Sequence, residues 1–163
     1  MFYEIQVAYN VKYEKWKDKF NDIIFELLCK KNYDVTEHLY FILSSCKQFC
    51  FRDKAMFRIN YINAMKQQGK MEQVKKEIEA LDVSIATEDY KIAKLCLEGK
   101  NEAVYEALNK NYPEPYSAEI VRDWPIFINF RESEYYSKFS QEHAEEFDTF
   151  EYQVKEDDRE LEK

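Results

Sequence analysis

Apolar residues along this chain recur every three to four positions, with charged and amide residues filling the gaps. Over 12–31, Trp16, Phe20, Ile23, Ile24, Leu27 and Leu28 fall on one side of a predicted helix. After a short turn at 30–33, Asp34 is expected to cap a second helix, with Glu37 three residues on as in a capping box. That helix is predicted to run to about Phe51, with Leu39, Ile42, Leu43, Cys46, Phe49 and Cys50 turned inward. A third covers about 54–68 with Met56, Ile59, Ile62 and Met65 inside, and Gly69 stops it. A fourth, about 71–81, turns Met71, Val74, Ile78 and Leu81 inward and sets Glu72 four residues before Lys76 on its wet side.

Thr87 is an expected N-cap for a fifth helix ending at Glu98, and Gly99 breaks the chain again. A sixth, about 101–109, turns Ala103, Val104, Ala107 and Leu108 inward until Pro113 and Pro115 end it. Short helices are predicted over 118–123 and 126–131, the second opened by Pro125. Ser133 caps a last helix to about Phe150, and the charged stretch 151–163 is expected to fray. No strand pattern appears, and only 2 Gly and 3 Pro are present, so Gly- and Pro-rich β and doubly wound folds are set aside.

Three joints between these helices share a layout: Lys31-Asn32-Tyr33-Asp34-Val35-Thr36, Gly69-Lys70-Met71-Glu72-Gln73-Val74 and Gly99-Lys100-Asn101-Glu102-Ala103-Val104. Each has a turn residue, a polar one, an acid three on and a small or β-branched residue five on. The spacings of 38 and 30 residues bracket the ~34 of a common helical-hairpin repeat. Together with Phe20, Ile23, Ile24, Leu27, Tyr40 and Leu43 in the first unit and Pro115 near the end, the pattern resembles the tetratricopeptide repeat over about residues 16–116. The resemblance implies an all-α, right-handed array of helical hairpins at about 12–51, 54–81 and 87–112. The aromatic stretch from Asp123 through Phe139 resembles the closing helices of such arrays, giving a cap at 117–150 in a single domain 1–150. A last repeat needs such a cover, since its apolar side has no neighbour. By the family's layout Asn21, Phe25, Ile59, Asn63 and Lys66 approach a concave surface that holds a peptide or another protein. The paired Lys and Asn residues with which some relatives hold a C-terminal carboxylate are not assembled here.

Chain length and 45% apolar content are enough for one well-buried domain. The net charge of −8 disfavours nucleic-acid binding, although Lys12, Lys15, Lys17, Lys19, Lys30 and Lys31 interleave with Tyr13, Trp16 and Tyr33. Two glycines cannot build GxGxxG, and a P-loop ending at Gly99-Lys100 would need glycine where Lys94 stands. His38 and His143 are the two histidines, and neither lies in a metalloprotease or carboxylate-metal motif. Cys29, Cys46, Cys50 and Cys96 form no CxxC; they are expected to be reduced core thiols of a cytoplasmic protein, with no metal and no cofactor. No stretch approaches a membrane span, and the N-terminus lacks the basic lead and apolar run of a secretory signal. Met1 opens within a helix-like pattern, as a piece of a larger protein would.

The 13 Tyr and 12 Phe stand out. Phe20, Phe41 and Phe127 are expected in the core, whereas Tyr61, Tyr105, Tyr112, Tyr116 and Tyr135 cannot all be buried and suit an interface. The expectation is a non-catalytic protein- or peptide-interaction module. The alternatives are a small acidic inhibitor or immunity-type protein that blocks a basic enzyme and, third, an enzyme with an unfamiliar site near His38 or the cysteines.

Overall fold

The computed structural model describes residues 16, 19–83, 86–113 and 116–147, and these contain helices and no strands. The helices are α1 (19–29), α2 (Tyr33–Ser45), α3 (Phe51–Gln67), α4 (Met71–Glu79), α5 (Glu88–Glu98), α6 (Asn101–Asn111), α7 (Ala118–Asp123), α8 (Ile128–Arg131) and α9 (Glu134–Glu142). A 3₁₀ turn, Pro125–Phe127, leads into α8. The chain divides into two compact units, Met1–Asp82 and Val83–Lys163.

The three joints share one backbone geometry. Lys31, Gly69 and Gly99 all sit in the left-handed region, at φ of 58°, 75° and 72°. The next N–H reaches back five carbonyls in each case: Asn32 to Leu27 (2.8 Å), Lys70 to Met65 (3.1 Å) and Lys100 to Leu95 (3.0 Å). This is the Schellman pattern, which satisfies carbonyls orphaned at a helix end. The following helix starts at once, with Asn32, Lys70 and Lys100 at its N-cap. Five residues past the left-handed position, Thr36, Val74 and Val104 are buried; seven before it, so are Ile24, Ile62 and Ile92. Packing is therefore in register on both sides of all three turns.

In the first unit, Ile24, Leu28, Leu43, Phe49, Phe57 and Ala64 form a shared core of α1, the 46–50 loop, α2 and α3. Helix α3 packs against both α2 and α4, which is why it is buried on most of its circumference. Arg58 ties α3 to α4 through two bonds to one Glu77 oxygen (2.9 and 2.7 Å), and Glu37 of α2 takes the Lys70 ammonium at 2.6 Å.

In the second unit α5 packs on α6, and α6 on α9. Trp124, Phe127, Phe130 and Phe139 are buried beside Tyr116, mostly edge to face at 5.5–6.3 Å between centroids. Such offset contacts suit the ring quadrupoles. The Tyr116 hydroxyl donates to the Asp89 carbonyl at 2.7 Å, and Arg131 donates to the Val121 and Trp124 carbonyls that α7 leaves open.

Several expectations are corrected. Helix α2 starts at Tyr33 without a capping box, and Glu37 reaches across to Lys70. It ends at Ser45, not near 51, because Ser44 and Ser45 turn their hydroxyls back onto the Phe41 and Ile42 carbonyls. Ile42, Phe41, Met71 and Trp16 are exposed, not core. Among the described ion pairs Glu72 has none with Lys76; Glu77, a turn further on, meets Arg58. Helix α9 stops at Glu142, where His143 leaves helical geometry, and one further turn covers 144–147. The predicted positions in 1–15, the end of the last helix beyond 147 and the 151–163 tail lie outside the described residues.

Candidate functional site

The end of α2 sets up the most accessible apolar surface of the first unit. After Ser45 the chain crosses to α3 through 46–50, pinned by Phe49, whose ring meets Phe20 at 5.9 Å and Phe57 at 5.0 Å. Cys50 then starts α3: its N–H donates to the buried Asp53 carboxylate at 3.0 Å in a capping box. With Phe49 inside and the cap fixed, Phe51 at the first helical position is thrown outward, 66% exposed. Phe41 and Ile42, on the outer side of α2, are 57% and 61% exposed.

Behind them Tyr40 and Tyr61 stack face to face at 4.3 Å, and Phe41 leans on Tyr61 edge-on at 5.5 Å. Burial raises both phenol pKa values, with Arg58 pulling Tyr40 back and Glu77 pushing Tyr61 further. Beside the stack opens a cleft of about 310 Å³. Tyr40 and Ser44 of α2 form one wall, Phe51, Lys54, Ala55 and Arg58 of α3 another, and Ala80–Asp82 the third. Arg58 is held by Glu77 and by the Ala80 carbonyl at 3.3 Å. Lys54, half-buried in the wall, makes no ion pair among the described residues.

The arrangement can hold an apolar side chain between Tyr40, Phe51 and Leu81, with Lys54 and Asp82 both in its wall. The cleft wall contains no histidine or thiol, and its one hydroxyl of the aliphatic kind, Ser44, bonds its own helix. His38 donates through Nδ1 to the Asp34 carbonyl at 2.7 Å, and His143 through Nε2 to Asn109 Oδ1 at 2.9 Å. Among the described residues no three His, Cys, Asp or Glu side chains come together to hold a metal ion, and no helix is long and apolar enough to cross a membrane.

The residues expected to approach a concave surface are not brought together as an accessible set. Ile59 and Asn63, expected on a partner surface, are buried at 0% and 1% exposure because α3 is covered by both neighbours. Asn21 and Lys66 are half-buried and Phe25 is exposed. The Asn21 Oδ1 and Asn63 Nδ2 atoms are buried without a hydrogen-bond partner among the described residues. Trp16 carries Lys19 over its ring at 5.5 Å, while Lys30 pairs with Glu26.

Sequence reasoning missed Phe41 and Phe51 as surface aromatics. One signal was available: from His38 to Met71 the chain has a single carboxylate, Asp53, although a fifth of all residues are Asp or Glu. An exposed patch within a run of that composition stands apart from the rest of the surface. Comparison of the chain with family models, with curated proteins and with solved structures finds no match.

Proposed function

We propose that this chain is a tetratricopeptide-like array of helical hairpins that works as a non-catalytic protein- or peptide-interaction module. The array reading is supported by the identical turn at Lys31, Gly69 and Gly99 and by the buried positions in register around it. An experimental structure in which the three hairpins succeed one another by a constant right-handed rotation is expected; a bundle without that succession would overturn it. One observation carries the interaction reading: Phe51 is exposed on the wall of a cleft that Tyr40 also lines, between α2, α3 and residues 80–82, and Phe41, exposed too, packs on Tyr40 and Tyr61 beside it. Isolated exposed apolar residues are ordinary, but aromatic ones gathered at a rimmed cleft mark binding surfaces.

Affinity capture with the wild-type chain and with a Phe41→Asp/Phe51→Asp variant, read by quantitative mass spectrometry, tests this. Partners lost with the variant, while its circular dichroism matches the wild type, are the expected result; identical capture profiles would sink the reading. A second reading, an acidic inhibitor of a basic enzyme, is favoured by the charge distribution: residues 83–163 hold 20 Asp and Glu against 10 Lys and Arg, and 1–82 hold 12 against 14. Under that reading a basic partner is captured equally by the variant and is released by salt.

A further inference from the structure

The second reading, a chain that blocks a basic partner, leaves open which face meets that partner, and an answer rests on that reading. Tyr105 and Tyr135, two of the tyrosines that suit an interface, meet where α6 packs on α9, with ring centroids 6.0 Å apart. Glu102 lies three residues before Tyr105 and four before Glu106, so the three share one strip of α6, and Glu134 stands beside Tyr135 at the start of α9. These acids converge on the Tyr135 phenol: loss of solvation raises its pKa first, Glu102, Glu134 and Glu106 raise it further, and Lys138 pulls it down. All three carboxylates are exposed, and none of them enters a hydrogen bond or ion pair among the described residues.

The cations at the two ends of α6 and just before α9 are engaged elsewhere. Lys100 pairs with Glu98 at 2.8 Å, Lys110 adds to the effect of Lys91 on Glu88 of α5, and Arg131 donates to the Val121 and Trp124 carbonyls. Lys138 belongs to the face itself, and its ammonium lies over the Tyr105 ring at 4.6 Å. That contact displays the chemistry on offer, a cation resting on a phenol ring among carboxylates.

We propose that this α6–α9 face docks a basic protein segment: an arginine or lysine stacks on Tyr135, and further cations meet Glu102, Glu106 and Glu134. Charge complementarity selects the occupant, and arginine suits it best, since it keeps its charge and lies flat on an aromatic ring. A second copy of the chain is disfavoured because two such faces repel, and a nucleic acid because it carries the same sign. A divalent ion needs carboxylates drawn together around it, and no such group of three exists among the described residues.

The test is selection from a random twelve-residue peptide display library on the full-length chain, followed by fluorescence-anisotropy titration of synthetic copies, with spermine as a separate probe. The expected peptides are net positive. They should bind about tenfold more weakly to Glu102→Gln/Glu106→Gln and to Tyr135→Ala, whereas Tyr135→Phe binds as the wild type does. Glu72→Gln/Glu79→Gln removes the same charge from exposed positions of α4 and should change affinity by less than about twofold. Circular dichroism checks that each variant is folded. Net-positive peptides that are weakened equally by the α4 pair, or are indifferent to Tyr135→Ala, overturn the inference while leaving the inhibitor reading standing. Spermine that binds as tightly and with the same dependence on Tyr135 does so too, since the face then takes small polycations. Enrichment of no net-positive peptide overturns both.

Discussion

Lys31 holds a conformation that Gly69 and Gly99 adopt without a Cβ penalty. A left-handed L-residue costs about 1–2 kcal/mol, and glycine gives back part of that through its larger unfolded-state entropy. Lys31→Gly is therefore expected to stabilise the protein by up to about 1 kcal/mol in urea unfolding. Gly99→Lys should cost about 1 kcal/mol, and purely through the backbone, because no atom lies within 4 Å of where its Cβ would stand. Shifts of the same sign would show that the two turns are not equivalent. The sequence points to Gly69 and Gly99 directly, since glycine announces positive φ. Lysine does not, and only the polar residue after it, the acid three on and Thr36 five on reveal the first joint.

Helices were legible where a cap or a breaker marks their ends, and α5 and α7 begin after Thr87 and Ser117, and α5 ends before Gly99, as expected. The α2–α3 boundary was not. Leu43, Cys46, Phe49 and Cys50 keep helical spacing straight through a loop, so periodicity carries the helix onward, while the serine hydroxyls that end it leave no mark on a hydrophobic pattern. Phe49 is buried from the loop, and Phe51 two residues later is exposed. The same geometry hid the candidate site, since a helix running to 51 puts Ile42 inside and gives Phe51 no reason to face out. The contrast is measurable. Phe49→Ala should cost about 3–5 kcal/mol by emptying the contact with Phe20 and Phe57. Phe51→Ala should change stability by no more than about 0.5 kcal/mol. Comparable losses from both would return Phe51 to the core and remove the surface on which the interaction reading stands.

Across the whole molecule, the resolved tyrosine shifts run one way. Burial raises Tyr40, Tyr61, Tyr112, Tyr135 and the almost fully enclosed Tyr116, the last well above its usual value, and Glu146 adds to the effect on Tyr112. A phenol whose folded pKa lies above its unfolded value of about 10 contributes its full stability below that pH. Above it, the unfolded chain releases the proton while the native one retains it, so the native state loses ground until the folded pKa is passed. Ionisation also deepens a charge that already stands at −8. Stability should therefore hold through about pH 9 and fall steeply above about 10. Tyr116→Phe separates the two roles of that hydroxyl. At about pH 8 it removes the bond to the Asp89 carbonyl and should cost about 1–2 kcal/mol. At high pH it also removes an ionisation that pulls toward the unfolded state, so the gap to wild type should close as pH rises past about 10. Urea unfolding of both proteins from about pH 8 to about pH 11 decides it: curves that stay parallel would mean that Tyr116 titrates alike in the folded and unfolded chain, and that the aromatic cluster around it is open to water.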